Sequence, residues 1–175
     1  PYGIPLRALY SVNIDNLLFA GRNISATHVA FSSTRVMGTC GIMGQAIGTT
    51  AAVAIKHGLT PRKACQNKIR DIQQLLLADD CFLPHIARDI TPLSRNATLS
   101  SPAGDADVLR NGIDRRFAGI DNGFFGKLNI PITYEFGQPV KVRGFRIIAD
   151  SDLDREFITG NPNLMKIPMP LFRAL

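Results

Sequence analysis

The sequence has no tryptophan and only three tyrosines among its 175 residues, so it offers few of the flat aromatic side chains on which sugars stack. Its three cysteines, Cys40, Cys65 and Cys81, are odd in number and widely spaced, which excludes a disulfide framework and a paired CxxC zinc site. Twenty basic against fourteen acidic residues give a net charge of +6, but no run of lysine and arginine is present. We therefore expect no nucleic-acid partner.

What is present is an ordinary globular composition, with 45% hydrophobic and 19% charged residues, which excludes a disordered or collagen-like chain. The residues from 36 to 55 carry no charge and contain Gly44-x-x-x-Gly48, a pattern also found in membrane helices. Their four glycines, three threonines and one glutamine leave little apolar side chain for lipid, so we expect no membrane span.

The first part of the chain predicts a strand, a loop and a helix. Residues 16–21 form a short apolar run stopped by glycine, which is typical of a buried parallel-type strand. Residues 22–34 are rich in Ser, Thr and Asn and predict a polar loop on the ligand side of that strand. The small-residue segment from Gly38 to Lys56 predicts a buried helix that ends at His57 and Gly58.

Glycines inside that helix need a packing reason, because each costs about 1 kcal/mol relative to alanine. Gly41, Gly44 and Gly48 indicate that a flat ligand or another backbone comes close. Close packing of two helices is the simpler alternative.

A second helix is predicted to begin at the cap Thr60 and Pro61 and to end near residues 79–81, before Pro84. A linker follows as far as Pro92. The apolar face of this helix recurs at spacings of four, three and four residues, at Cys65, Ile69, Ile72 and Leu76.

The second part of the chain reads as all-β. Ile130–Phe136 and Val140–Ala149 are the best strand candidates, on either side of the turn at 137–139. Alternation of apolar and polar residues from Ile132 to Phe136 predicts a half-buried antiparallel strand, and such regions usually close as a sandwich. The acidic triplet at residues 150, 152 and 154 imitates a calcium loop, but arginine and asparagine replace its glycine and glutamate, so we expect no metal.

Several spaced motifs in the first part carry a family resemblance. They are YGIPLR at 2–7, NLLFAGRNISA at 16–26, STRVM at 33–37 and GQAIG at 44–48. Together they resemble the C-terminal part of FAD-dependent oxidoreductases with two dinucleotide-binding domains, including bacterial sequences often labelled xanthan lyase. The resemblance covers about residues 1–80.

This resemblance implies where a flavin would lie. It places Gly21 and Arg22 beside the ribityl chain or the diphosphate, although many related flavoproteins carry an acidic residue at the position of Arg22. It places Thr39, Cys40 and Gly41 under the flavin carbonyl, at the positive end of the helix. Two further candidate cofactor contacts are Ser25 and Gly44.

His28 and Arg35 are the candidate catalytic residues. Imidazole titrates near neutral pH, so His28 is a candidate proton donor, with a solvated loop histidine as the alternative. Arg35, like Arg22, is suited to hold a phosphate or a carboxylate, with a surface ion pair as the alternative. Cys40 near a helix N-terminus is either a reactive thiol or a small buried hydrophobe.

The turn that binds the FAD pyrophosphate, GxGxxG, is missing from these 175 residues. The sequence also lacks an initiator methionine, and we interpret it as an internal piece. The parent protein is expected to bind FAD, whereas the isolated piece should neither hold FAD tightly nor turn over. Without the dinucleotide-binding half, its exposed apolar faces are expected to make it self-associate.

The second part resembles a discoidin-like, galactose-binding-type sandwich, through residues 111–114, 121–123 and 132–148. The predicted fold is thus α+β: the strand-loop-helix portion of a flavin-binding α/β domain at 1–88 and an incomplete antiparallel sandwich at 89–175. The alternative function is a carbohydrate-binding or interaction module, and the sandwich resemblance favours a periplasmic or secreted location. For the lyase label, no Tyr/His/Arg set suited to β-elimination is recognisable.

Overall fold

The structure, a computed structural model, describes residues 2–115 and 123–149. The chain divides into two compact units, Pro1–Asp89 and Ile90–Leu175. Helices and a small antiparallel sheet make it α+β, which confirms the predicted class. The elements are a 3-10 helix (Leu6–Leu9), α1 (His28–Thr34), α2 (Met37–Lys56), α3 (Pro61–Asn67), α4 (Ile69–Ala78), α5 (Pro92–Asn96), β1 (Thr98–Ser100), a 3-10 helix (Ala106–Arg110) and β2 (Thr133–Glu135).

The predicted buried parallel strand at residues 16–21 is wrong. The segment instead folds back on the chain that precedes it, through one antiparallel bridge between Tyr10 and Leu18. The amide of Phe19 donates to the carbonyl of Leu9 at 2.8 Å. Pairing stays this short because the 3-10 helix ends at Leu9 and the chain turns away at Gly21, whose φ is +97°.

The predicted polar loop at residues 22–34 is only half correct, because α1 occupies its second half. The hydroxyl of Thr27 accepts a hydrogen bond from the Ala30 amide at 3.3 Å and so caps the helix. Phe31 and Thr34 lie three residues apart on one helix face and are the least exposed residues of α1. A short polar sequence thus forms a helix because it has a good cap and two inward-facing positions.

The long helix α2 confirms the prediction for Gly38 to Lys56, but it is buried on one side only. Its inner face packs on the first 3-10 helix, α3 and α4. The buried residues of α2 are Met43, Thr50, Val53 and Ala54. On the outer face Met37 is 91% and Ile55 is 82% exposed, so the prediction of a buried helix is only half correct.

The predicted second helix begins at its predicted cap, where the hydroxyl of Thr60 accepts from the Lys63 amide at 3.3 Å. It is interrupted at Lys68, which leaves the helical conformation, so the segment forms α3 and α4 instead of one helix. The apolar spacing could not show this break, because inward-facing positions continue on both sides of it. The core of this region comprises Val53, Ala54, Ala64, Ile72, Leu76 and Cys81.

The linker after α4 is held to that helix by side chains. Arg70 forms an ion pair with Asp89, and its guanidinium also reaches the carbonyl of Ala87. Gln74 donates to the Ala87 carbonyl at 3.1 Å and accepts from the Asp89 amide at 2.7 Å. The chain up to residue 89 therefore folds back onto the first unit.

In the second unit β1 and β2 pair antiparallel, with Leu99 opposite Tyr134. β2 confirms a strand within Ile130–Phe136, but Val140–Ala149 forms no strand in the described residues. Tyr134 is 40% exposed and all of β2 is exposed, so the expected half-burial is wrong for the described part. The sandwich stays a prediction.

By length and composition alone, α2 would also fit across a bilayer. Core helices of soluble proteins share these properties, so a single such helix is weak evidence for a span. The absence of a membrane span stays a prediction.

Candidate functional site

Three segments of the first unit meet around the sulfur of Cys40. The Cys40 thiol donates to the backbone carbonyl of Thr34, the last residue of α1, at 3.9 Å. A Cβ atom added at Gly21 would lie 4.0 Å from the same sulfur. The turn after the bridge, the end of α1 and the first turn of α2 therefore lie close together.

The N-terminus of α2 presents backbone donors that no side chain caps. Its N-cap is Val36, which has no polar side chain, and the first turn contains no acidic residue. The first intrahelical bond runs from the Cys40 amide to the Val36 carbonyl, so by helix geometry the N–H groups of residues 37–39 have no intrahelical acceptor. Such an end is positive and favours an electron-rich or anionic group.

The space beside this first turn is open. A Cβ added at Gly38, Gly41, Gly44 or Gly48 would meet no atom within 4 Å, apart from its own helix backbone and chain neighbours. The close neighbour that Gly41, Gly44 and Gly48 predict is therefore absent from the described residues. A flat ligand and a separate protein surface both stay compatible with this finding.

The two catalytic candidates lie at opposite ends of α1. His28 is the first residue of the helix and Arg35 is its C-cap, which separates them by about 10 Å along the axis. Both are exposed. Arg35 directly precedes the N-cap of α2, so only Arg35 lies next to the first turn of that helix.

The other candidates surround the same region. Arg22 is exposed and follows Gly21, and Thr39 is half-buried in the first turn of α2. Ser25 is exposed, and its backbone amide donates to the carbonyl of Ala8 at 3.0 Å. The structure thus brings Gly21 close to Cys40.

One buried group in this region was missed by the sequence reasoning. Thr34 is only 6% exposed, and its Oγ1 has no hydrogen-bond partner among the described residues. The spacing of Phe31 and Thr34 was the available signal, since it marks an inward-facing side of a helix that the polar composition concealed.

The remaining cysteines lie away from this region and stay protonated more readily than usual. Burial raises the pKa of the Cys65 thiol, against the lowering effects of a hydrogen bond with Tyr10 and the charge of Arg7. Burial also raises the pKa of Cys81, and the charge of Asp80 adds to that effect. Neither thiol is suited to act as a nucleophile near neutral pH.

Comparison with known families now bears on this geometry. Residues 1–76 match the FAD dependent oxidoreductase family model. The match covers less than half of the chain, begins before the first 3-10 helix and ends within α4. It includes the whole Gly21, Thr34 and Cys40 contact, and it supports the flavoenzyme part of the resemblance.

No curated protein and no solved structure matches the chain significantly. The xanthan lyase label, the discoidin-like sandwich, the carbohydrate-binding alternative and the secreted location therefore stay predictions. Within residues 2–115 and 123–149, no group of three His, Cys, Asp or Glu side chains is placed to hold a metal. The acidic triplet at 150–154 lies outside the described residues.

Proposed function

We propose that the first unit supplies the flavin-facing part of an FAD-dependent oxidoreductase. The family match over residues 1–76 carries this proposal. The uncapped first turn of α2, the open space beside its glycines and the orphaned hydroxyl of Thr34 fit a polar, flat cofactor. Bound FAD supplies the hydride-accepting chemistry of such an enzyme.

In this proposal the N-terminus of α2 binds the electron-rich edge of the flavin ring. Backbone N–H groups at residues 37–39 donate to it, and the helix dipole stabilises negative charge there by about 0.3–1 kcal/mol. Gly38 and Gly41 admit a ring because they place no side chain over the first turn. Gly21 allows the chain to turn beside Cys40, which keeps the neighbouring segment close to this edge.

Arg35 is the stronger of the two catalytic candidates. Its guanidinium follows α1 directly and adds positive charge beside the first turn of α2, where it would orient a carboxylate or phosphate. His28 lies about 10 Å away along α1, so His28 and Arg35 cannot bind the same ligand atom. Only a ligand long enough to span that distance could contact both. We therefore assign substrate orientation to Arg35 and keep His28 as a solvent-facing proton carrier.

The dinucleotide-binding half is proposed to belong to the parent protein, because no GxGxxG occurs in these 175 residues. The exposed outer face of α2 is the proposed contact for that half. The residues of α2 from Met37 to Ile55 carry no charged side chain. In the 175-residue chain alone, the same face is proposed to drive self-association.

Absorption spectroscopy tests the cofactor assignment. The full-length protein is expected to show the visible bands of oxidised flavin, whereas the 175-residue chain with added FAD should retain no stoichiometric flavin after gel filtration. Absence of flavin from the full-length protein, even after incubation with FAD, would defeat the oxidoreductase proposal. Stoichiometric flavin on the 175-residue chain would show that it needs no further half.

A pair of glycine variants in the full-length protein separates a cofactor contact from protein packing. Gly41→Leu places a side chain beside the first turn of α2 and is expected to abolish flavin retention. Gly48→Leu makes the same change two turns farther along the open face. Equal loss of flavin from both variants would show that Gly41 acts through protein packing along this face and not through contact with the cofactor.

A further inference from the structure

The hydroxyl of Thr34 is a buried polar group without a partner in the described residues. Thr34 is 6% exposed, and no hydrogen-bonding atom of the described chain serves its Oγ1. Leaving such a group unsatisfied is costly, and folded proteins rarely do so without a reason. The missing partner therefore requires an explanation.

A second buried threonine, Thr50, shows how a buried hydroxyl can be satisfied within its own helix. Thr50 is fully buried within α2, and its Oγ1 donates to the carbonyl of Ala46, four residues earlier, at 2.8 Å. The corresponding carbonyl for Thr34 is that of Ala30, in the same helix α1. Thr34 does not use this option, so its hydroxyl is available to another group.

Its location identifies the region that such a group would occupy. The Thr34 carbonyl accepts from Cys40 in the first turn of α2, next to the uncapped N–H groups of that helix. Threonine in a helix has two accessible χ1 rotamers, and rotation by about 120° between them turns its hydroxyl towards a different side of the residue. This rotation can present the hydroxyl to a ligand that lies against this turn.

We propose that Thr34 is a cofactor-positioning residue whose hydroxyl hydrogen-bonds a polar atom of FAD held at the first turn of α2. This inference rests on the proposed function. A hydroxyl both donates and accepts, so it suits a carbonyl, an N–H group or a ribityl hydroxyl equally. A hydrogen bond with FAD would satisfy the buried Thr34 hydroxyl.

The test uses full-length apoprotein and three variants. Thr34→Val removes the hydroxyl at nearly constant shape, Thr34→Ser keeps it, and Thr50→Val removes a hydroxyl that the chain already satisfies. Two quantities are measured: the dissociation constant of FAD, by flavin fluorescence, and the melting temperature of the apoprotein.

Thr34→Val is expected to raise the FAD dissociation constant about tenfold without lowering the melting temperature of the apoprotein, because an unsatisfied group is removed. Thr34→Ser should bind within about twofold of wild type, since the hydroxyl remains. Thr50→Val should lower the melting temperature and leave FAD affinity unchanged.

An unchanged FAD affinity in Thr34→Val would overturn the inference while leaving the proposed function intact. A drop in apoprotein melting temperature like that of Thr50→Val would overturn it too, by revealing an ordinary structural partner. Failure of the wild-type protein to bind FAD would defeat the proposed function first, and this inference with it.

Discussion

The thiol of Cys40 donates to the backbone carbonyl of Thr34 over 3.9 Å, and this contact joins the first turn of α2 to the end of α1. Gly21 approaches the same sulfur from the turn after the Tyr10–Leu18 bridge. One side chain thus lies close to three segments that share a single site if the cofactor proposal is correct.

Replacing Gly21 by alanine should destabilise the fold by about 1–2 kcal/mol, because its φ of +97° disfavours any residue with a Cβ. Gly48→Ala should instead raise stability by up to about 1 kcal/mol, since Gly48 lies inside α2 with open space around it. Urea unfolding curves measure both changes. Equal effects of the two substitutions would contradict this account of Gly21.

Arg62 should stabilise the N-terminal segment by about 1–2 kcal/mol. Its guanidinium donates to the carbonyl of Val12 at 2.6 Å and lies 5.9 Å from the centre of the Tyr10 ring. Chemical denaturation of Arg62→Ala should show this loss. The matched control is the exposed neighbour Lys63, whose replacement by alanine should change stability by less than about 0.5 kcal/mol. Similar values for the two variants would refute the role of Arg62.

The free energy of unfolding should fall in alkaline solution because of Cys81. Burial raises the pKa of its thiol above the ordinary value of 9.0. The fold favours the protonated thiol, so its contribution is complete below pH 9.0 and is lost as the pH rises through the folded pKa. Unfolding free energies at neutral and alkaline pH should therefore decline more for wild type than for Cys81→Ala. Parallel declines would rule out Cys81 as the source.

The proposed self-association through the outer face of α2 should weaken when a charge is placed on it. Ile55 is 82% exposed, and Ile55→Glu should shift the 175-residue chain towards its 19.1 kDa monomer in light scattering. Val29 on α1 is also 82% exposed, so Val29→Glu introduces the same charge at equal exposure on another element. If both variants dissociate the self-associated chain equally, the cause is a general effect of charge. If the wild-type chain is already a monomer, the self-association proposal is wrong.

Local chemistry explains which elements were predictable. α2 was expected from Gly38 to Lys56 and spans Met37–Lys56, and α3 begins at the predicted Thr60 cap, because caps and stop signals act within one turn of the helix. Of the candidate site residues, Gly21 and Cys40 do lie close together, while the roles assigned to the candidates stay predictions. The orphaned hydroxyl of Thr34 was not recognisable, because lack of a partner is a property of packing.

Sequence alone therefore determined the limits of α2, the start of α3, the mixed α+β class and the flavoenzyme resemblance of the first part of the chain. Tertiary structure decided what depends on distant partners. It replaced a buried strand by a single bridge to Tyr10, interrupted one helix at Lys68, and paired β1 with β2 across more than thirty intervening residues. It also buried only one face of α2. Periodicity marks which residues are apolar, but only the packed neighbours determine which of them are covered.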